Sequence, residues 1–350
     1  MKLQKLLSNW DQILRIILMI IFALSAITKI LFPQNIGLDL QNIRLIELDT
    51  IGCNNCNKPY ELFSIPRDLY TTEDGTLYIL DARYKEIRIF DRNGNYIRTL
   101  NIPDEIIRPS SITVSHDNFI FITEQLRRNR GIYKLNMNGD IINYFRINFT
   151  PYHIRYVNKQ LYVSSFPVFA KNNQWLVHVF NADGKIIKEF CHRRANWKKE
   201  TQLNGGTNGF MAIKGDKLFF SFGYPYDVRI FNTSGDSINQ FLRTPEFYSK
   251  IITRKAKNGI NLKYYGGFCS GLVPVGENYV IVLIDNQISN KIFADLWSID
   301  GTFIKSFDLG SVRGPYLYMT ANGPEKDFYI AFYEPFPHIK KMRLQINNYQ

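Results

Sequence analysis

Hydrophobic and polar positions alternate in short runs along most of the chain, and the runs repeat. One motif occurs five times: an apolar strand, a turn of Asn, Asp or Ser with Gly, then a second strand ending in an aromatic residue or Leu. The copies are IRIFDRNGNYIRTL (87–100), IYKLNMNGDIINYF (132–145), VHVFNADGKIIKEF (177–190), VRIFNTSGDSINQF (228–241) and ADLWSIDGTFIKSF (294–307). Asn-Gly, Asp-Gly and Ser-Gly between alternating strands signal tight hairpins, because glycine supplies the positive φ such a turn needs. A second hairpin precedes each copy, turning near Glu73-Asp74-Gly75, His116-Asp117-Asn118, Asn158-Lys159, Lys214-Gly215-Asp216 and Gly276-Glu277-Asn278. Each unit is therefore four strands, the length of one propeller blade.

A sixth inner hairpin spans 316–333 across Asn322-Gly323-Pro324, and after it only one more strand fits, 339–346. The sixth blade thus lacks its outermost strand, while a spare strand, IRLIEL (43–48), precedes the first blade. Pairing the two would close the ring and remove its open edges. The expected fold is all-β: a six-bladed β-propeller of four-stranded blades over residues 42–350, closed by an N-terminal strand.

Upstream, residues 13–32 read ILRIILMIIFALSAITKILF, with Arg15 and Lys29 near the ends where long side chains can snorkel. This is expected to be one transmembrane anchor, retained because no small-residue cleavage site follows its apolar run. Residues 1–12 would be a cytoplasmic tail and 33–41 a linker. Lys2, Lys5 and Arg15 precede or open the span, so the positive-inside rule places the N-terminus in the cytoplasm and the propeller in the periplasm or outside the cell. Residues 14–33, through Leu14-Arg15-Ile16-Ile17, Phe22, Ser25 and Thr28-Lys29-Ile30-Leu31, resemble the first helix of DoxX/MauE membrane proteins. The other spans of that family are missing, so no activity is carried over.

Composition supports strands: 15% of residues are aromatic, with 21 Tyr and 26 Phe. Lys plus Arg number 43 against 31 Asp plus Glu, a formal charge of +12 that attracts anionic surfaces. An extracytoplasmic location argues against nucleic acid as the partner. The blade pattern, clearest in Pro66-Arg67-Asp68-Leu69, Leu77-Tyr78-Ile79-Leu80-Asp81 and Ile87-Arg88-Ile89-Phe90-Asp91-Arg92-Asn93-Gly94, resembles the NHL-repeat and TolB-like six-bladed propellers of bacterial envelopes. That resemblance implies a module that binds proteins, peptides or glycans.

Connections from strand four to strand one of the next blade, and from strand two to strand three, emerge on one face of a propeller. They carry Arg83, Lys85, Arg127, Arg128, Arg130, Phe166, Phe169, Trp175, Arg193, Arg194, Trp197, Lys198, Lys199, Tyr224 and Tyr226. Arg83, Arg127, Arg128, Arg130, Trp175, Trp197, Tyr224 and Tyr226 are the expected ligand-binding residues, suited to an acidic or aromatic-rich ligand. Long insertions, 191–207 and 242–268, open on the same face.

Cys53-Asn54-Asn55-Cys56 admits redox, metal and structural readings. With only Cys191 and Cys269 besides, zinc lacks its four ligands, and Asn-Asn-Cys-Asn-Lys-Pro reads as a loop rather than the helix start that would activate a thiolate. A Cys53–Cys56 disulfide is the expectation, with free thiols, a redox pair and a metal site as the other open readings. The five histidines, His116, His153, His178, His192 and His338, show no metal-ligand spacing. Starts of the innermost strands offer Arg67, Asp68, Ser110, Ser111, His153, Asn208 and Ser270, a poor set of metal ligands. No metal, cofactor or catalytic set is expected. The runner-up function is a metal-dependent hydrolase or lyase with its site in the central channel.

Overall fold

A computed structural model describes residues 42–54, 57–165, 175–192, 209–223, 226–245, 251–255, 259, 261–311 and 319–347. By compactness the chain falls into two units, Leu45–Gln345 and Met1–Arg44 with Ile346–Gln350. The first is the propeller. In the second, the Asn347 amide donates to the Asn42 carbonyl at 3.2 Å. The expected span 13–32 lies outside the described residues, among which no helix is long and apolar enough to cross a membrane.

Strand β1 (Ile43–Ile51) comes first. Blade 1 is β2 (Pro66–Thr71), β3 (Leu77–Asp81), β4 (Glu86–Phe90) and β5 (Tyr96–Asn101). Blade 2 is β6 (Pro109–Val114), β7 (Ile120–Glu124), β8 (Gly131–Leu135) and β9 (Ile141–Arg146). Blade 3 is β10 (Pro151–Val157), β11 (Gln160–Ser165), β12 (Trp175–Phe180) and β13 (Ile186–His192). Blade 4 is β14 (Phe210–Lys214), β15 (Lys217–Phe222), β16 (Asp227–Asn232) and β17 (Ser237–Leu242). The insertion that follows holds a separate hairpin, β18 (Ile251–Lys255) with β19 (Asn261–Tyr265). Blade 5 is β20 (Phe268–Val275), β21 (Tyr279–Asn286), β22 (Lys291–Ser298) and β23 (Phe303–Ser311). The last strands are β24 (Thr320–Asn322), β25 (Asp327–Phe332) and β26 (His338–Ile346). They form the sixth blade in the order β1-β26-β25-β24, so the N-terminal strand is its outermost member.

The first strands of neighbouring blades touch in a closed cycle, β2, β6, β10, β14, β20, β24 and back to β2. Their central position explains the burial of β6, and of the second strand β7 beside it, along their whole length, whereas outer strands such as β9 are largely exposed. Middle strands covered on both faces read as continuous apolar runs instead of alternating ones.

Each repeat hairpin is built locally and then used for packing. In blade 2 the Asn136 side-chain carbonyl accepts the amides of Asn138 and Asp140, both at 2.9 Å, which fixes the turn. Asp91 and Asn181 do the same in blades 1 and 3. Gly184, at φ +78°, closes the blade 3 turn, and a Cβ there would sit 1.9 Å from the Phe145 ring on β9. The turn of one blade thus presses on the outer strand of the blade before it. Gly139, Gly235 and Gly301 make the equivalent approach to Asn101, Phe190 and Asn239. For blade 1 the strand before is β1: a Cβ on Gly94 would lie 2.8 Å from an Asp49 oxygen. The closing junction therefore copies the four others built on such a turn. It is reinforced by Lys341 Nζ donating to the Arg92 carbonyl at 2.9 Å and by Thr71 Oγ1 donating to the Asn322 carbonyl.

Candidate functional site

The innermost strands of blades 1, 2 and 3 start with Pro66, Pro109 and Pro151, and each has a register shift within the next three residues. An inner strand borders the channel and needs no ladder partner on that side, so proline costs little there, and the bulge re-aims the side chains that follow. Asp68, Ser111 and Arg155 consequently meet across three blades. Arg155 grips the Asp68 carboxylate in a fork, Nη1 at 2.9 Å and Nη2 at 3.1 Å. Ser111 Oγ donates to the same carboxylate, as do the amides of Leu69 at 2.9 Å and Ile112 at 3.0 Å. The Ser111 oxygen in turn accepts the Ile154 amide at 3.0 Å, and Arg155 donates to the Ile154 carbonyl at 2.7 Å. Burial raises the Asp68 pKa, but Arg155 and the other partners outweigh it, and the carboxyl is held below its ordinary value.

His153, two residues before Arg155, is 4% exposed, and neither ring nitrogen has a hydrogen-bond partner. Its Nδ1 is 3.9 Å from Asp68, and Tyr152 and Phe210 crowd its ring. Burial pushes its pKa down to about 3, so it stays neutral. Serine, histidine and aspartate are the residue types of a hydrolase, but here the hydroxyl bonds the carboxylate directly and the imidazole bonds neither. This is a structural knot.

His153 makes stability pH-dependent. The unfolded side chain takes a proton near 6.5 and the folded one only near 3. Protonation therefore favours the unfolded chain, and stability should fall progressively as pH drops through that interval. Each pH unit costs about 1.4 kcal/mol at most. His178 and His338, whose pKa values burial also lowers, act in the same direction, so between about pH 7 and about pH 4.5 the His153→Phe variant should lose roughly 2–3 kcal/mol less than the unaltered chain in urea unfolding. An unchanged acid limb in that variant would refute the assignment.

The face expected to bind ligand is only partly described. Phe166, Phe169, Arg193, Arg194, Trp197, Lys198, Lys199 and Tyr224 lie outside the described residues. Arg83, Arg127 and Arg128 are exposed and Arg130 is half-buried. Lys85 pairs with Asp104 at 2.8 Å, and Trp175 stacks on His192 with ring centroids 3.4 Å apart. Tyr226 corrects the sequence expectation: it is 2% exposed and its hydroxyl accepts the Trp297 indole N–H at 2.5 Å, a core position rather than a ligand contact. Cys53 is disulfide-bonded, while Cys56 lies outside the described residues. Cys191 and Cys269 are free and buried, and burial raises the Cys191 thiol to about 12. No three His, Cys, Asp or Glu side chains among the described residues converge as metal ligands.

A cavity opens at the opposite mouth of the channel, where strands one and two of the blades are joined. It has a volume of about 900 Å³. Leu69, Leu272 and Ala321 give it apolar patches, Arg155 reaches it from the knot, and turn residues from several blades wall it. Sequence reasoning located these turns but assigned them no role. Arg155 was missed as well, although a cation two residues from a histidine in the otherwise apolar strand YHIRYV was visible.

No family model matches the chain, and no curated protein is recognisably similar in sequence. Solved structures are similar in fold. A streptogramin B lyase is 16% identical over 87% of this chain and 99% of its own, with a TM-score of 0.53. A DUF4221-family member from Bacteroides vulgatus is 9% identical over 88% and 100%, at 0.59. A PQQ-bound aldose sugar dehydrogenase from Streptomyces coelicolor is 10% identical over 87% and 98%, at 0.53. At such identities the likeness establishes a six-bladed β-propeller, a fold that serves unrelated activities.

Proposed function

We propose that this chain is a membrane-anchored, extracytoplasmic propeller that works as a ligand-binding or scaffold module, of the NHL or TolB-like kind that its first blades resemble. The observation that carries the reading is the open cavity at the channel mouth. It has the size of small-ligand sites, and turns from separate blades converge on it. The knot beneath it holds these blades together without offering a reactive group, which favours recognition over chemistry. The metal-dependent lyase or hydrolase reading has no converging ligand set among the described residues to support it.

Anchoring rests on the apolar run 13–32 and on the charges before it. A reporter active only in the periplasm, fused after Gln350, should be active; activity of a cytoplasmic reporter alone would overturn the topology. Binding is tested by applying the detergent-purified full chain to immobilised glycan and peptide libraries. Saturable capture is expected, and no capture from either library would refute the reading.

A further inference from the structure

We propose that the cavity at the turn-side mouth of the channel receives an amine-bearing saccharide, a short chain of amino sugars. The inference rests on the ligand-binding reading above and narrows it to a substrate class. At about 900 Å³ the cavity is near the upper end of small-molecule sites, which suits an oligomer better than a single ring.

Its walls combine two kinds of surface. Tyr70 and Tyr156 supply aromatic surface, with Tyr156 packed against His116 and Phe121. Asn118 and Asn158 supply amide groups from separate blades, while the Thr71 hydroxyl and the Asn322 amide nitrogen donate within the wall, to the carbonyls of Asn322 and Ile213. A saccharide presents C–H faces that pack on aromatic rings and hydroxyl edges that pair with amides, each able to donate and accept.

Charge then selects among saccharides. The chain as a whole is +12, yet four carboxylates, Glu73, Asp74, Asp216 and Glu325, line this cavity. The cations there are already engaged, Arg155 by Asp68 and Lys214 by Glu277 at 3.5 Å. Of the acids, Glu73 has His116 at 3.8 Å and Asp216 has Lys217 at 3.3 Å, which leaves Asp74 and Glu325 without a basic partner within ion-pair distance among the described residues. Glu73 and Glu325 stand on the turns of blades 1 and 6, which meet closely, since a Cβ on Gly75 would lie 3.1 Å from Pro324. Asp74 stays ionised because the Thr72 hydroxyl and the Thr76 amide stabilise its charge. The cavity makes the site, and the acids favour an ammonium over the uncharged acetamide of the same sugar.

The test is calorimetric titration of the full chain in detergent with a β-1,4-linked glucosamine tetramer and with its fully N-acetylated counterpart. The amine form should bind at least about tenfold more tightly, with the advantage shrinking as salt is added. Glu73→Gln combined with Glu325→Gln should erase the preference without moving the melting temperature. Arg146→Ala, exposed on the outer strand β9 and away from the cavity, should change nothing. Equal affinity for the two tetramers, or a preference that survives the double substitution, would overturn the proposal. If neither tetramer binds while the libraries yield another ligand, the amino-sugar class is wrong and the binding reading stands. If nothing is captured at all, both fail.

Discussion

A chain that begins at Cys53, without β1, is expected to melt far below one that begins at Leu40, or to aggregate. Without β1 the sixth blade would expose the edge of β26, a nine-residue row of backbone donors and acceptors. Several ladder hydrogen bonds would be lost, each worth about 0.5–1.5 kcal/mol. The loss extends beyond the blade. Blade 1 packs its Gly94 turn on Asp49, and Lys340 pairs with Glu47 at 2.7 Å. Ile51, 5% exposed, would leave the core. Because a domain is stable by only about 5–15 kcal/mol, removing a strand and one of six blade junctions should consume most of it. Thermal unfolding and solubility of the two chains decide the matter. Equal values would show that the ring closes without β1.

Arg155→Met should be the most damaging single substitution in the interior. It leaves the fully buried Asp68 carboxylate facing its hydroxyl and amide partners without a counter-charge, a change that costs about 3–5 kcal/mol in other buried pairs. The damage should be greatest near neutral pH. A carboxyl whose folded pKa lies below its unfolded value of 3.8 contributes stability that is present above 3.8 and lost as pH falls through the folded value. Removing Arg155 should therefore shift the acid unfolding of the variant to higher pH. Replacing both partners, Asp68→Leu with Arg155→Met, should recover much of the loss, since an uncharged pair leaves no isolated ion. Urea unfolding of the three chains measures this. A double variant as unstable as Arg155→Met would mean that the knot contributes through shape and not charge.

The sequence by itself was enough for the blade count, the turn positions and the way the ring closes. Those features are local: Asn136 and Gly139 specify a hairpin with bonds inside five residues, and a period of four strands shows by repetition. The observed β1 ran three residues beyond the expected strand, and the last strand began one residue sooner, because pairing partners set where a strand ends. The site was far less legible. Asp68, Ser111 and Arg155 are 87 positions apart at the extremes, and only the closed cycle of inner strands brings them into one hydrogen-bonded group. Tyr226 shows the converse error: its loop position suggested exposure, but Trp297, 71 residues away, buries it. The cavity was likewise invisible, since its walls are turns that look alike in sequence and acquire a shared concave surface only around a common axis. Local hydrogen bonding wrote the blades into the sequence, while contacts between distant blades, set by ring closure, decided what lies at the centre.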